Sequence, residues 1–354
     1  MHMKKIYLIV LTIIMLLIVP GCSNDTASDA PDMNYERIDC GFLISDEYTE
    51  SCIYSNGDQM IFSIEKFLKV NAGPATSTDA FVLVDIETEA AKKIIPVGLS
   101  AQVNSAVPYM DGVMYVDYET GDDNLIHWEI IKHTAGEKKT LLSGKCDVEY
   151  KLPSLELLNN TPVVLWEDAE SGMTRLSKIV KEKFEDVITD DENIQMVTSD
   201  ISANTKEVCF AAKTEWETAE MIIADLEGIV SSLTLEHKLT SFALTKDHLL
   251  CGVGDVEEKG IFSLLNYDFR LENVNITAIL HPLYRMSGSN TETALCVDDS
   301  FMIKKVNASD SSISDVNAPL GKTGKPVSFS SIIDGKCIAS ILEKNKNEYY
   351  VLSM

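Results

Sequence analysis

Short apolar strands recur along this chain at a nearly constant period, and four of them carry a cysteine: Cys209, Cys251, Cys296 and Cys337, separated by 42, 45 and 41 residues. A repeat of that length is one supersecondary unit that cannot bury its apolar face alone, so copies must be arrayed to share a core. The pattern is legible in seven copies, anchored at Cys52, Tyr115, Trp166, Cys209, Cys251, Cys296 and Cys337. In most copies the anchor has apolar neighbours on both sides, as in Val208-Cys209-Phe210 and Leu295-Cys296-Val297. A strand with one wet face alternates; these do not, which predicts strands covered on both faces.

Each anchor is followed by a polar turn and a second apolar strand: Phe81 to Ile86, Trp128 to Lys132, Arg175 to Val180, Met221 to Leu226, Ile261 to Tyr267, Phe301 to Val306 and Tyr349 to Met354. A weaker edge strand comes next, as in Ile229 to Leu235 after the turn Asp225-Leu226-Glu227-Gly228. Helical periodicity is scarcely detectable after Pro20. From Asn34 to Met354 the seven units average about 46 residues, the length of a propeller blade. The expected fold is all-β: a β-propeller of seven four-stranded blades, with six or eight as alternatives because the first two units align least well. The 63 residues from Cys52 to Tyr115 are too many for one unit, and Glu65 to Asp79, with Gly73-Pro74 and a Ser/Thr-rich stretch, is expected as an insertion that breaks strand structure. The last unit ends on its third strand. The segment Tyr35 to Cys40 is therefore expected to supply the missing outer strand, joining the termini and removing an open sheet edge.

The N-terminus has a different character. Lys4 and Lys5 precede an apolar run from Ile6 to Val19, the length of a secretory signal core and short of the roughly 20 residues a spanning helix needs. Val19-Pro20-Gly21-Cys22 then resembles a bacterial lipobox, although Pro20 departs from the usual small residue. That resemblance implies that the Cys22 thiol accepts a diacylglyceryl group and becomes the mature N-terminus; an uncleaved signal anchor is the alternative. Ser23 to Asn34 is polar and small, too poor in apolar residues to order itself, and twelve extended residues reach about 40 Å. The expected division is a signal peptide over 1–21, a lipidated cysteine and tether over 22–33, and the propeller over 34–354.

With 55 acidic and 30 basic residues the chain has a formal charge of −25, which disfavours nucleic-acid phosphate and anionic bilayers as electrostatic partners. The whole layout resembles bacterial β-propeller lipoproteins and, more loosely, TolB-like and YncE-like propellers. The likeness spans nearly the whole mature chain as a pattern, without the Trp-Asp dipeptide or repeated Gly-His pairs of WD repeats. It implies a monomeric module held by lipid on the extracytoplasmic face of a bacterial cell membrane.

Seven thiols remain once Cys22 is set aside, an odd number in a compartment that permits disulfides. The repeated cysteines are expected as small buried hydrophobes near the axis, in separate blades too far apart to bridge. Cys40 and Cys52 are close in sequence, but the closure above places them on different strands.

The turns after the anchor strands are acidic. They carry Glu119, Asp122 and Asp123; Glu167, Asp168 and Glu170; Glu215, Glu217 and Glu220; Asp255, Glu257 and Glu258; and Asp298 and Asp299, with few cations such as Lys213 and Lys259. In a propeller these turns share a face, so the carboxylates form a field that favours basic partners or divalent cations, and Trp216 offers an apolar anchor within it. Solvated hairpin turns are the alternative account of the same residues. Asp190-Asp191-Glu192-Asn193 and Asp122-Asp123-Asn124 lack the spacing of a calcium loop, and the histidines lack zinc-ligand spacing, so neither metal nor cofactor is expected. Nucleophile-elbow, phosphate-loop and nicotinamide motifs are absent. Two functions follow: a noncatalytic module binding a basic protein or a cell-envelope polymer, or a hydrolase or lyase acting on carbohydrate or another small substrate at the central channel. A channel without converging carboxylates favours the first, and clustered Asp, Glu, His and Arg the second.

Overall fold

The computed structural model describes residues 34–38, 47–56, 58–70, 73–88, 90–134, 137–168, 171–188, 195–213, 219–255, 260–269, 274–316, 325–343 and 346–354. The expected signal peptide, Cys22 and tether lie outside the described residues, as does Cys40. Seven four-stranded antiparallel sheets follow one another along the chain. Blade 1 comprises Tyr48–Ser55, Gln59–Val70, Gly73–Asp85 and Ala90–Ala101; blade 2 comprises Val103–Tyr109, Gly112–Thr120, Ile126–Thr134 and Glu137–Cys146. Blade 3 comprises Ser154–Leu158, Thr161–Glu167, Thr174–Val180 and Lys183–Ile188; blade 4 comprises Gln195–Ala203, Val208–Lys213, Ala219–Ala224 and Ile229–Leu235. Blade 5 comprises Lys238–Leu244, His248–Gly254, Phe262–Asp268 and Val274–Ile279; blade 6 comprises Leu283–Tyr284, Thr293–Asp298, Ile303–Asn307 and Ser312–Asp315. Blade 7 takes Lys325–Phe329, Lys336–Glu343 and Lys346–Ser353 from the C-terminal end and Asn34–Arg37 from the N-terminal end. Helix among the described residues is confined to one 3-10 turn, Glu149–Lys151.

The arrangement of apolar side chains closes these sheets into a ring. Second strands are buried on both faces, as in Val208 to Ala212 and Leu249 to Gly254, because each sheet is wedged between two others. Seven apolar cores fill the seven gaps. Ile61, Phe81, Val113 and Tyr115 join blades 1 and 2, and Trp128 and Val164 lie in the core of blades 2 and 3. Leu165 meets Phe210 between blades 3 and 4, and Met221 meets Leu249 between blades 4 and 5. Leu250 meets Ala294, then Leu295 meets Ala339, carrying the series through blades 5, 6 and 7. Phe62, Val84, Ile338 and Tyr349 complete it between blades 7 and 1. The blade count is therefore seven.

The termini meet as expected. Asn34 pairs with Ser353 and Arg37 with Tyr350 along the strand Asn34–Arg37, and the end of the expected segment, Asp39 and Cys40, lies outside the described residues. Arg37 adds an ion pair to Glu348 at 3.1 Å.

Three expectations need correction. Cys52 lies on the first strand of blade 1; the counterpart of the other anchors is Met60 to Ser63 on the second strand. Glu65 to Asp79 is no strand-breaking insertion, because Gln59–Val70 and Gly73–Asp85 pair along their length, with Lys69 opposite Pro74 at the tip. Pro74 is tolerated there since its missing donor falls at the end of the ladder. The cysteines lie on second strands within the cores between blades, not beside the axis. Cys251, Cys296 and Cys337 each face the preceding blade, whereas Cys209 faces the following one. A one-residue offset reverses the face of a strand side chain, and Phe210 is the true equivalent of the other three. Cys209 and Cys251 consequently share one core, and both are free thiols, as are Cys146, Cys296 and Cys337. Burial pushes the Cys296 and Cys337 thiols up to about 12 and Cys146 to about 11, which makes them poor nucleophiles.

Candidate functional site: the channel mouth and its acidic rim

First strands face the axis and line a channel. Its wide end, a cavity of about 610 Å³, is walled by residues of blades 1, 3, 4, 5, 6 and 7. A narrower end of about 260 Å³ lies among the turns joining first and second strands, including Asn56, Asn159 and Thr205. Tyr54, Ser55, Glu156 and Ser331 line both, so the two are ends of one passage. Beside it the ring is drawn tight: a Cβ on Gly288 would lie 2.3 Å from the Ala203 carbonyl oxygen, so only glycine lets these backbones approach. Ser289 N donates to Leu244 O, Ile332 N donates to Gly288 O, and Ser289 bridges Ile332 in parallel.

Because every blade repeats one antiparallel order from the channel outward, the turns between second and third strands share a face with the blade-to-blade connections. The wide mouth opens on that face, since Asp298 and Phe301 at the blade 6 turn line it. Apart from Glu220, which is half-buried on the strand Ala219–Ala224, the expected acidic residues divide into three groups. Glu170, Glu215, Trp216, Glu217, Glu257 and Glu258 lie outside the described residues. Glu119, Asp122 and Asp255 are exposed on the turns, and Glu119 borders a cleft of about 630 Å³ on blade 2 with Asp117, His127 and Glu129.

The third group is paired locally. Asp123 accepts from Lys145 at 2.8 Å and lies 2.9 Å from His127, which together hold its carboxyl well below the usual carboxylate range. Glu167 pairs with Lys151 at 3.0 Å, Asp168 with Arg175 at 2.9 Å, and Asp299 with His281 at 2.8 Å. Asp298 is buried, not a solvated rim residue: Lys304 lies 3.2 Å away, and the Ser300 and Met302 amides donate to its Oδ1, fixing the turn. Lys145, Lys151, Arg175 and Lys304 come from neighbouring strands or connections, outside the turns themselves. Local pairing weakens the field expected of the carboxylates.

A second feature of this face escaped the sequence reading. At this end of blades 5 and 6 five large apolar side chains are exposed, Ile261, Leu280, Tyr284, Phe301 and Met302, with Leu280 at 89% exposure; Val274 and Ile276 are exposed on the outer strand of blade 5. Phe262 pairs with Ile279, which sets Ile261 and Leu280 at the same sheet end. His281–Asp299 ties the connection after Leu280 to the turn holding Phe301 and Met302, and Tyr284 pairs with Val297 beneath that turn. Phe301 has φ +62° and Arg285 φ +53°, conformations that bulky residues adopt only where surrounding structure enforces them. Both residues line the mouth.

Within the channel, Ile53, Ile201, Phe242 and Met286 give an apolar wall, with Glu156, Asp200 and Arg285 as charged groups. Glu156 belongs to the first strand of blade 3, and one of its oxygens accepts the Leu157 amide at 2.9 Å. Burial pushes its carboxyl up to about 7, against a weaker lowering by that hydrogen bond. Burial, with Glu156 adding to it, also pushes the Tyr54 hydroxyl up.

Fold and channel together define a seven-bladed β-propeller. The chain is similar in structure to BamB from Moraxella catarrhalis, with a TM-score of 0.52 and 11% identity over 91% of this chain and 97% of that one. It is also similar to the Cps50 (Swd1) β-propeller domain of Myceliophteria thermophila, with a TM-score of 0.50 and 11% identity over 88% and 98% of the two chains. At that identity the likeness establishes the fold alone. No protein-family model and no curated protein matches the chain.

Proposed function

We propose that this chain is a noncatalytic protein-binding module, held by a lipid on Cys22 at the extracytoplasmic face of a bacterial cell membrane. Its partner docks on the face where the wide channel mouth opens. The observation that carries this is the exposed apolar group Ile261, Leu280, Tyr284, Phe301 and Met302 beside Asp255 and Asp299. An apolar centre within a polar rim is the anatomy of a protein interface, and the chain's formal charge of −25 favours a basic partner over an envelope polymer. The structural likeness to BamB and to the Swd1 propeller is compatible with that role.

The test is capture of envelope proteins by the immobilised propeller and by a triple variant, Ile261→Ser/Leu280→Ser/Met302→Ser. A bound protein that is retained by the wild type, released by salt and lost by the variant is the expected result. Equal retention by both forms removes the docking face. A second reading, a hydrolase or lyase, is favoured by one observation: Glu156 and Asp200 line the same cavity. It requires turnover that Asp200→Asn abolishes.

A further inference from the structure

Resting on the docking role proposed above, we propose that the channel is a cation subsite in which one lysine or arginine side chain of the partner is received against the Glu156 carboxylate. Glu156 lines both ends of the passage, so a group entering from the wide mouth meets it at depth. Its one hydrogen bond from protein is the Leu157 amide, and among the described residues no lysine, arginine or histidine forms an ion pair with it. A half-buried carboxylate without a counter-ion is unfavourable, and a cation supplied from outside relieves that penalty. The remaining lining points to the same chemistry. Asp58 adds negative charge, Asp298 is compensated by Lys304, and Arg285 is the one cationic side chain of the lining among the described residues. Ile53, Ile201, Phe242 and Met286 supply an apolar wall for the methylene stem of a long cationic side chain. The cavity holds a side chain, not a folded element.

The titratable and charged groups facing the passage beside Glu156 are Tyr54, Asp58, Asp200, Tyr284, Arg285 and Asp298, and no histidine is among them. With the Glu156 carboxyl at about 7, its ionised fraction rises roughly tenfold from pH 6 to pH 8, and cation affinity rises with it.

The probe is n-butylammonium chloride, a lysine side-chain mimic, titrated against the folded propeller while the methyl resonance of Met286 is followed by NMR. The expected result is a saturable shift at pH 8, an apparent Kd about tenfold weaker at pH 6, and loss of binding in Glu156→Gln. The neutral isostere n-butanol should show no such pH dependence. A Kd that is equal at the two pH values, or equal in wild type and Glu156→Gln, overturns the subsite. Should the variant not fold, the pH comparison in the wild type decides alone. The triple rim variant separates the two ideas: partner capture lost with butylammonium binding intact supports both, capture retained with butylammonium binding intact overturns the docking face alone, and a wild type that captures partner through the rim without binding butylammonium overturns the subsite alone.

Discussion

Glu156 sets a pH signature on the stability of the molecule. Its carboxyl is raised from the ordinary 4.5 to about 7 in the folded state, with desolvation the main cause. Below about pH 4.5 it is protonated in folded and unfolded chains alike and contributes nothing. Between 4.5 and 7 the unfolded chain gives up the proton while the folded chain keeps it. Rising pH therefore favours unfolding, and the loss is complete above pH 7. The side chain is half-buried and keeps partial exposure, so the loss is about 1–3 kcal/mol. Glu156→Gln should match the wild type in urea unfolding at pH 4 and exceed it by that amount at pH 8. A variant less stable than the wild type at pH 8 would mean that Glu156 makes favourable contacts as an anion. Gly288 works in the opposite sense, its missing side chain permitting a contact that any other residue would block.

At the scale of the element, the strand Asn34–Arg37 closes the ring, giving the last sheet its fourth strand and covering the edge of Lys346–Ser353. A chain beginning at Met33 should fold and run as a monomer, while one beginning at Asp39 should lose thermal stability and elute as larger species, because the bared edge is a template for pairing with another molecule. Size-exclusion chromatography distinguishes these; identical elution and melting would show that the strand is dispensable. Closure was legible in the sequence because the last unit visibly ends one strand short. The doubly covered second strands were legible through unbroken apolar runs, as at Val208 to Ala212. The frame of blade 1 was not, since Cys52 imitates an anchor on the wrong strand and its neighbour from Gln59 to Ile64 carries no cysteine. The orientation of Cys209 was equally hidden, because a strand apolar on both faces holds no alternation to fix its parity. The channel was the least legible part. Its lining comes one or a few residues at a time from separate first strands, and Glu156 sits in Ser154–Leu158 without any motif. Its one sequence signal was a lone carboxylate amid leucines in a short strand.

For the whole molecule, the seven cores make a ring whose neighbours all depend on one another, and the proposed lipid would hold that ring outside the cell. Mass spectrometry of membrane-extracted protein should show a chain beginning at Cys22 and carrying acyl groups, and Cys22→Ser should move the protein from the membrane fraction. An intact Met1 or Met3 terminus would leave the propeller without this anchor. The clasp between the two ends has a mechanical consequence for such an arrangement. Residues preceding Asn34 lead directly into the four-residue strand that completes blade 7, so tension drawn through the leader is borne first by the short ladder from Asn34–Ser353 to Arg37–Tyr350. The toroid is fastened by its own latch: a strong enough tug would spring blade 7 open before any other part of the wheel felt the load.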